Sequence, residues 1–156
     1  MRIHLLAAGT RLPSWINAGF NDYTERLPPE CGLLLKEIPL SAKRRGGNVV
    51  KAVAEESTRL LAAIPAGARV IALDVRGRGF NTEELAKQLN HWLQDGRDLA
   101  LLIGGPDGLA AECVERAELT WSLSPLTLPH GLVRVVAAEQ LYRAWTILKA
   151  HPYHRA

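Results

Sequence analysis

The sequence predicts an α/β domain built on a largely parallel sheet. Five short apolar runs alternate along the 156 residues with longer segments of helical period, which is typical of strands joined by helical crossovers. Several runs are apolar throughout, as expected for strands that helices cover on both faces. Because no internal repeat, low-complexity tract or long linker divides the chain, we expect one domain over residues 1–156.

The first half of the chain contains two predicted strand–helix units. An apolar strand at residues 2–8 precedes a helix at 13–27, and a leucine-rich strand at 32–38 precedes a helix at 48–64. Pro65 follows this second helix and ends it, because proline lacks the amide that would continue the helical hydrogen bonds.

The second half continues the alternation through three more strands and three more helices. The strands are predicted at residues 69–75, 98–103 and 119–123, and the helices at 81–94, 109–117 and 130–150. Asn81 and Glu84 have the spacing of a capping box, in which each side chain accepts a hydrogen bond from the other residue's amide. The third helix is therefore expected to begin at Asn81.

The last predicted helix is apolar on nearly every side. Between residues 132 and 148 only Glu139, Gln140 and Arg143 clearly interrupt the apolar side chains, and one sheet cannot cover a helix all round. A second copy of the chain is the simplest additional cover, so we expect a homodimer through this C-terminal helix. A central core helix is the alternative.

The composition excludes several classes of protein. With 47% hydrophobic and 22% charged residues the chain can fold without help from metals or disulfides, and no apolar run approaches the roughly 20 residues of a membrane span. The N-terminal apolar stretch is too short for a secretory signal, so we expect a cytoplasmic protein. Cys31 and Cys113 lack metal-site or C-x-x-C spacing and are expected to be reduced thiols.

The positive charge is concentrated at the C-terminal end. Residues 1–128 hold 15 basic and 15 acidic side chains, whereas residues 129–156 hold four basic and one acidic. A cationic end that also carries histidines suggests anionic ligands. A second basic cluster at residues 43–47, KRRGG, is expected to be mobile and extended because of its glycines, either for phosphate contacts or as ordinary solvated surface.

Two glycine-rich segments follow predicted strands. The segment GRGFNT at residues 77–82 resembles a dinucleotide-binding turn, but Thr82 replaces the last glycine, so a tight strand-to-helix turn is the better interpretation. The segment LLIGGPDGL at residues 101–109 brings three glycines and a proline after a buried strand. Glycines there let backbone approach a ligand, and open parallel sheets bind ligands at this edge.

Two further segments carry candidate ligand-binding groups. The apolar loop at residues 123–134 either lines an apolar pocket, where its hydroxyls and free backbone groups hold a purine and ribose, or is a plain buried connection. The tail HPYHRA at residues 151–156 combines one aromatic ring, two imidazoles and one guanidinium. Such groups stack on bases and pair with phosphates.

Over essentially its whole length the chain resembles the SPOUT class of methyltransferases, and within it the family that methylates pseudouridine in large-subunit rRNA. The most specific segments are LLIGGPDGL, TLPHGLVRVVAAEQLYRAW from Thr127 to Trp145, and HPYHR at the end. The resemblance implies a C-terminal trefoil knot, one of the rare exceptions to unknotted topology. It also implies S-adenosylmethionine as cofactor, bound at Leu73, Gly104, Leu123, Ser124, Pro125, Leu126, Thr127 and Leu128.

The same resemblance implies the substrate and the partners. The substrate would be the position-three imide nitrogen of a pseudouridine in rRNA within the assembled ribosome. The two copies of a homodimer would share each site, one binding the cofactor and the other lending its tail. Neither a metal nor a membrane partner is expected. A non-catalytic ribosome-binding assembly factor and a tRNA methyltransferase of the same fold remain alternatives, because fold does not fix substrate.

The chemistry of this reaction assigns candidate roles to six side chains. An imide nitrogen becomes a good nucleophile only after it loses its proton, so a proton acceptor or a stabilised anion is needed. The candidate acceptors are His130 and His154, the candidate cations are Arg134, Arg143 and Arg155, and Tyr153 is the candidate base-stacking ring. The alternatives are that His130 only caps the last helix and that Glu139 and Arg143 form only a helix pair.

Overall fold

The computed structural model describes residues 1–155 and confirms all ten predicted strands and helices. In chain order they are β1 (Ile3–Ala8), α1 (Ser14–Thr24), β2 (Leu33–Ile38), α2 (Val49–Ala62), β3 (Arg69–Gly79), α3 (Thr82–Asp95), β4 (Leu99–Ile103), α4 (Ala111–Arg116), β5 (Leu119–Ser122) and α5 (His130–Leu148). Short 3-10 helices lie at Pro29–Cys31, Ala42–Arg44 and Pro152–His154. Helix α3 begins with the predicted capping box between Asn81 and Glu84.

The five strands form one sheet in which every neighbouring pair is parallel. Their order is β2-β1-β4-β3-β5. The central strand β4 is buried along its whole length, as an all-apolar strand in a doubly covered sheet should be. Because the strands are parallel, the loops that follow all five lie at one edge of the sheet.

Helices cover both faces of the sheet and form a core on each. One core contains Phe20 of α1, Leu89 of α3 and Leu141 of α5, and the other contains Leu60 of α2 and Cys113 of α4. The α/β class predicted from the sequence is therefore confirmed. Within residues 1–155, no helix combines the length and the apolar character that crossing a membrane requires.

Helix α5 packs between α1 and α3 on one face of the sheet. Its small residues Ala137, Ala138 and Ala144 are fully buried, so this single chain already covers much of the helix, as the core-helix alternative requires. Leu132 and Val136 stay half-buried and belong to neither core. Dimerisation through α5 stays a prediction.

The glycines at residues 77–79 do not form the predicted strand-to-helix turn. Strand β3 continues through Gly79 and, after an irregularity, pairs again with β5, so that Arg78 lies opposite Trp121. A Cβ atom on Gly77 would lie 2.6 Å from the backbone oxygen of Thr120, closer than packing allows. The reason for a glycine at residue 77 is therefore close strand packing.

The basic segment at residues 43–47 is folded, and the predicted extended conformation is wrong. A 3-10 helix covers Ala42–Arg44, and the Ser41 hydroxyl accepts a hydrogen bond from the Lys43 amide. Lys43 and Arg44 pair with successive carboxylates of α2, Glu55 and Glu56. Two of the three basic side chains are therefore neutralised within the chain.

Both cysteines are buried free thiols, as the sequence predicts. Burial raises the pKa of Cys31 to about 11 and also raises that of Cys113. A thiol is nucleophilic only as the thiolate. These two side chains therefore act as packing groups.

Candidate active site

A cavity of about 650 Å³ opens at the sheet edge where β4 and β5 end, beside residues 73–76 of β3. Its walls are formed by residues 73–76, 103–109, 121, 123–124, 126–130 and 133. The volume lies within the range of small-molecule sites. The position is the one at which open parallel sheets bind ligands.

The structure brings seven of the eight predicted cofactor-binding residues together around this cavity. They are Leu73, Gly104, Leu123, Ser124, Leu126, Thr127 and Leu128. The eighth, Pro125, lines a smaller adjoining hollow with Gly77, Gly79 and Phe80. Segments more than 50 residues apart in sequence therefore meet at one site.

The glycine loop after β4 folds back on itself at the cavity wall. The Gly108 amide donates to the Gly105 oxygen over 3.0 Å, and Gly108 has a φ of +81°. A Cβ atom on Gly104 would lie 2.4 Å from the carbonyl carbon of Gly108. Glycine at residue 104 is therefore required for the loop to close this tightly.

The loop between β5 and α5 is largely exposed to solvent. The Ser122 hydroxyl donates to the Ser124 oxygen, and the Ser124 hydroxyl accepts from the Leu126 amide, both over 2.9 Å. These bonds leave the Leu126 side chain 73% exposed. The plain buried connection considered from sequence is therefore wrong, and an apolar side chain stands free at the cavity rim.

His130 lies at the cavity wall in the first turn of α5. Its side chain does not cap the helix, which begins after Pro129 without a side-chain cap. Burial lowers the pKa of His130 from its ordinary value of 6.5, and the positive charges of Arg134 and Arg44 lower it further. The imidazole is therefore neutral at neutral pH and can accept a proton.

Arg134 is buried beside His130 and does not reach the cavity. Its side chain is 1% exposed; Nη1 donates to Glu37 Oε2 over 2.7 Å and Nη2 donates to the Gly9 oxygen over 2.8 Å. Direct contact with substrate, as expected from sequence, is not available to this guanidinium in the structure. It instead ties α5 to the end of β2 and to the loop after β1.

The other candidate side chains gather at the far end of α5. The Tyr153 hydroxyl and the Arg143 guanidinium both donate to Glu139 Oε1, over 2.9 and 2.6 Å, and Arg143 lies 5.0 Å over the Tyr153 ring. Thus Glu139 and Arg143 are more than a helix pair. His154 is half-buried, its Nδ1 atom has no partner among residues 1–155, and Arg155 is exposed.

The tail and the cavity of one chain are separate. Arg143 lies 13 positions after His130 in α5, which is about 20 Å along the helix axis at 1.5 Å per residue. Of the tail residues that the structure describes, 151–155, none lines the cavity. The six side chains that sequence analysis grouped as catalytic therefore form two clusters.

Sequence analysis missed two carboxylates at the cavity. Asp74 accepts hydrogen bonds from the amide, Nε and Nη2 of Arg76, at 2.8 to 3.0 Å, and its pKa is lowered chiefly by the Arg76 side chain. Asp107 lies in the glycine loop and pairs with Arg44. The available signal for Asp74 was an acidic residue close to the end of the apolar strand predicted at residues 69–75.

The chain matches known methyltransferases along its whole length. A family model described as predicted SPOUT methyltransferase covers residues 1–154. One relative, ribosomal RNA large subunit methyltransferase H of Thioalkalivibrio sulfidiphilus, is 54% identical over 155 residues, 99% of each chain. The protein of the same name in Alkalilimnicola ehrlichii is 54% identical over 100% of each chain.

Solved structures share the fold at lower identity. A probable methyltransferase from Bordetella pertussis superposes with a TM-score of 0.59 at 18% identity, covering 92% of this chain and 93% of that one. A putative methyltransferase from Legionella pneumophila, solved in complex with the bound cofactor SAM, has a TM-score of 0.50 at 12% identity and covers 93% and 66%. With the family model and the close relatives, these findings show that the chain belongs to the SPOUT methyltransferase family.

Proposed function

We propose that the protein transfers a methyl group from S-adenosylmethionine to the position-three imide nitrogen of a pseudouridine in large-subunit rRNA of the assembled ribosome. The observation that carries the proposal is the cavity, because the segments that the family resemblance assigns to the cofactor lie together around it. The names of the close relatives support rRNA as the substrate class.

The cavity fits S-adenosylmethionine in size and chemistry. Trp121, Val133 and Ile103 supply apolar wall for a purine, and the glycine loop offers backbone groups at close approach. Asp74 and Asp107 bring negative charge to a ligand with a sulfonium and an ammonium group. When bound, S-adenosylmethionine supplies an electrophilic methyl group on its sulfonium sulfur.

His130 is the proton acceptor in this proposal. Its neutral imidazole would take the imide proton and leave an electron pair on nitrogen, which would bond to the methyl carbon that a bound S-adenosylmethionine would supply as its carbon–sulfur bond broke. S-adenosylhomocysteine and a protonated His130 result. Much of the acceleration comes from alignment, since orientation supplies roughly 7 to 11 kcal/mol in favourable cases.

A second copy of the chain completes the site in the proposal. Tyr153, His154 and Arg155 do not line the cavity of their own chain, so a homodimer through α5 is what would bring these side chains of one copy to the cavity of the other. The exposed Arg155 side chain supports a role outside its own chain.

The proposal is tested by incubating the protein and methyl-labelled S-adenosylmethionine with intact ribosomes, free subunits and tRNA from cells that lack the gene. Label at one large-subunit pseudouridine in intact ribosomes is the expected result. Label only in tRNA would overturn the substrate, and ribosome binding without label would favour an assembly factor. Unchanged transfer by both His154→Ala and Arg155→Ala would remove the tail from the mechanism.

A further inference from the structure

The glycine loop rests on two consecutive polar residues of α2 that are buried. Glu56 and Ser57 are 2% and 3% exposed, although both are polar, and the proposed reaction uses neither. Buried polar side chains are retained where their hydrogen bonds are satisfied. Glu56 is connected to the loop through Arg44, and Ser57 bonds directly to Ala110, the residue that follows the loop.

Arg44 connects Glu56 to the loop. Its Nε and Nη2 atoms donate to the two carboxylate oxygens of Glu56 over 2.7 and 2.6 Å, and Nη1 donates to Asp107 in the loop. The Ser41 amide donates to the same carboxylate over 2.8 Å. Although burial alone raises the pKa of Glu56, the bonds from Arg44 and Ser41 outweigh it and lower this pKa overall. The carboxylate is therefore charged and fixed.

Ser57 fixes the residue that follows the loop, Ala110. Its hydroxyl accepts a hydrogen bond from the Ala110 amide over 3.0 Å. Two residues before Asp107, the backbone of Gly105 lies against the same cluster, and a Cβ atom there would be 3.0 Å from Leu40 and 3.5 Å from the Arg44 guanidinium. The loop is therefore fastened at Asp107 and Ala110 and packed tightly at Gly105.

A neighbouring ion pair provides a natural comparison. Lys43 and Glu55 precede Arg44 and Glu56 by one residue each and pair over 2.9 Å, but both side chains are more exposed and neither contacts the loop. The two pairs have the same charges on the same two elements. They differ in burial and in the connection to the cavity wall.

We infer that Arg44, Glu56 and Ser57 are positioning residues that set the affinity for the cofactor by holding the glycine loop in its binding shape. The inference rests on the proposed function, because it takes S-adenosylmethionine as the ligand of the loop. A loop that is already ordered loses less conformational entropy when a ligand binds. Loosening it weakens binding while leaving the transfer step at saturating cofactor nearly unchanged.

The test is titration calorimetry of full-length variants with S-adenosylmethionine, followed by transfer kinetics on ribosomes. Arg44→Lys keeps the charge but cannot contact two carboxylates at once, and Ser57→Ala removes the bond to Ala110. We expect each to raise the Kd and KM for the cofactor about tenfold and to change kcat by less than about twofold. Lys43→Ala, the matched control, should leave the Kd for the cofactor unchanged.

Asp107→Asn tests whether Arg44 acts through the loop and controls for misfolding. Asp107 is largely exposed, so this variant leaves the Arg44–Glu56 pair intact and should keep the wild-type Tm. If Arg44 acts through the loop, the two substitutions are coupled. The Kd of the double variant Asp107→Asn/Arg44→Lys then rises by less than the product of the fold-increases in the two single variants.

Two results would overturn the inference. Multiplicative effects of the two substitutions on Kd would show that Arg44 does not act through the loop. Cofactor affinities equal to that of the wild type in Arg44→Lys and Ser57→Ala would show that the loop needs no support. A wild type that binds no S-adenosylmethionine would instead overturn the proposed function, and this inference with it.

Discussion

At the scale of single residues, the surroundings of His130 determine the pH at which its imidazole becomes charged. Burial and two nearby guanidinium groups lower its pKa below 6.5, so the proton-accepting form persists to lower pH than for a free imidazole. Between the lowered pKa of His130 in the folded protein and its ordinary pKa of 6.5 in the unfolded chain, the folded state binds fewer protons at this imidazole than the unfolded chain does. This group therefore contributes stability above pH 6.5 that is lost as the pH falls towards its lowered pKa.

We predict that the acid limb of kcat/KM for methyl transfer lies below pH 6.5 and depends on His130. His130→Asn should reduce the rate about 10²- to 10⁴-fold, the usual contribution of a positioned proton acceptor, and should remove this limb. His91→Asn, an exposed histidine of α3, serves as the control and should keep the wild-type profile. An unchanged rate and limb in His130→Asn would exclude it as the acceptor.

The sequence indicated which residues lie at the cavity better than it indicated which side chains pair with one another. Leu73, Gly104 and the loop around Leu126, which the family resemblance names directly, lie at the cavity wall, and their binding of the cofactor stays a prediction. The pairing of Arg134 with Glu37 joins residues 97 positions apart, and no local pattern reports such a contact. A buried arginine and an exposed arginine are indistinguishable in one sequence, so the positioning role of Arg134 required the structure.

At the scale of elements, the close packing of β3 against β5 requires a residue without a side chain at position 77. Gly77 faces the Thr120 backbone, whereas the space beside Gly79, two residues later on the same strand, is open. The sequence shows two equivalent glycines in GRG. The structure shows that only the first is required by packing.

We predict that Gly77→Ala destabilises the protein by about 1 to 3 kcal/mol, the usual cost of overpacking, because the new Cβ atom displaces β5. Gly79→Ala, the matched control, should stay within about 0.5 kcal/mol of the wild type. Urea unfolding followed by circular dichroism measures both. Equal stabilities of the two variants would contradict the packing argument.

Element positions were predictable because apolar runs and the capping box are local signals. The length of β3 was not, because residues 76–79 are polar or glycine and become strand only by pairing with β5. The folding of the basic segment at 43–47 was missed for a similar reason. Its order comes from the carboxylates of α2, which the segment itself does not contain.

At the scale of the whole molecule, the separation of the cavity from the tail gives the proposed homodimer a measurable consequence. A cavity variant such as His130→Asn and a tail variant such as Arg155→Ala would each be inactive alone. When equal amounts are mixed and allowed to exchange subunits, half of the dimers carry one copy of each. In those dimers one of the two shared sites is intact.

We therefore predict that the mixture recovers about a quarter of the wild-type activity, the statistical value for shared sites in a two-fold dimer. Methyl transfer to ribosomes by the mixture, compared with each variant alone, measures this recovery. Absence of recovery after verified subunit exchange would mean that each chain acts with its own tail. Purely monomeric protein at micromolar concentration by light scattering would also refute the dimer.

The strand order has a consequence for how the molecule is made. β1 lies between β2 and β4, and Ile3 pairs with Leu99, so the first strand to be synthesised stays open on one side until the fourth emerges. Every pairing is parallel and bridges a crossover, which means that no hairpin is available to nucleate the sheet. Such long-range pairings form slowly, because the entropy of closing each loop is lost before the contact stabilises the chain. A nascent chain that stalls before β4 thus exposes an unpaired apolar strand, the state in which chains of this topology are most prone to aggregate.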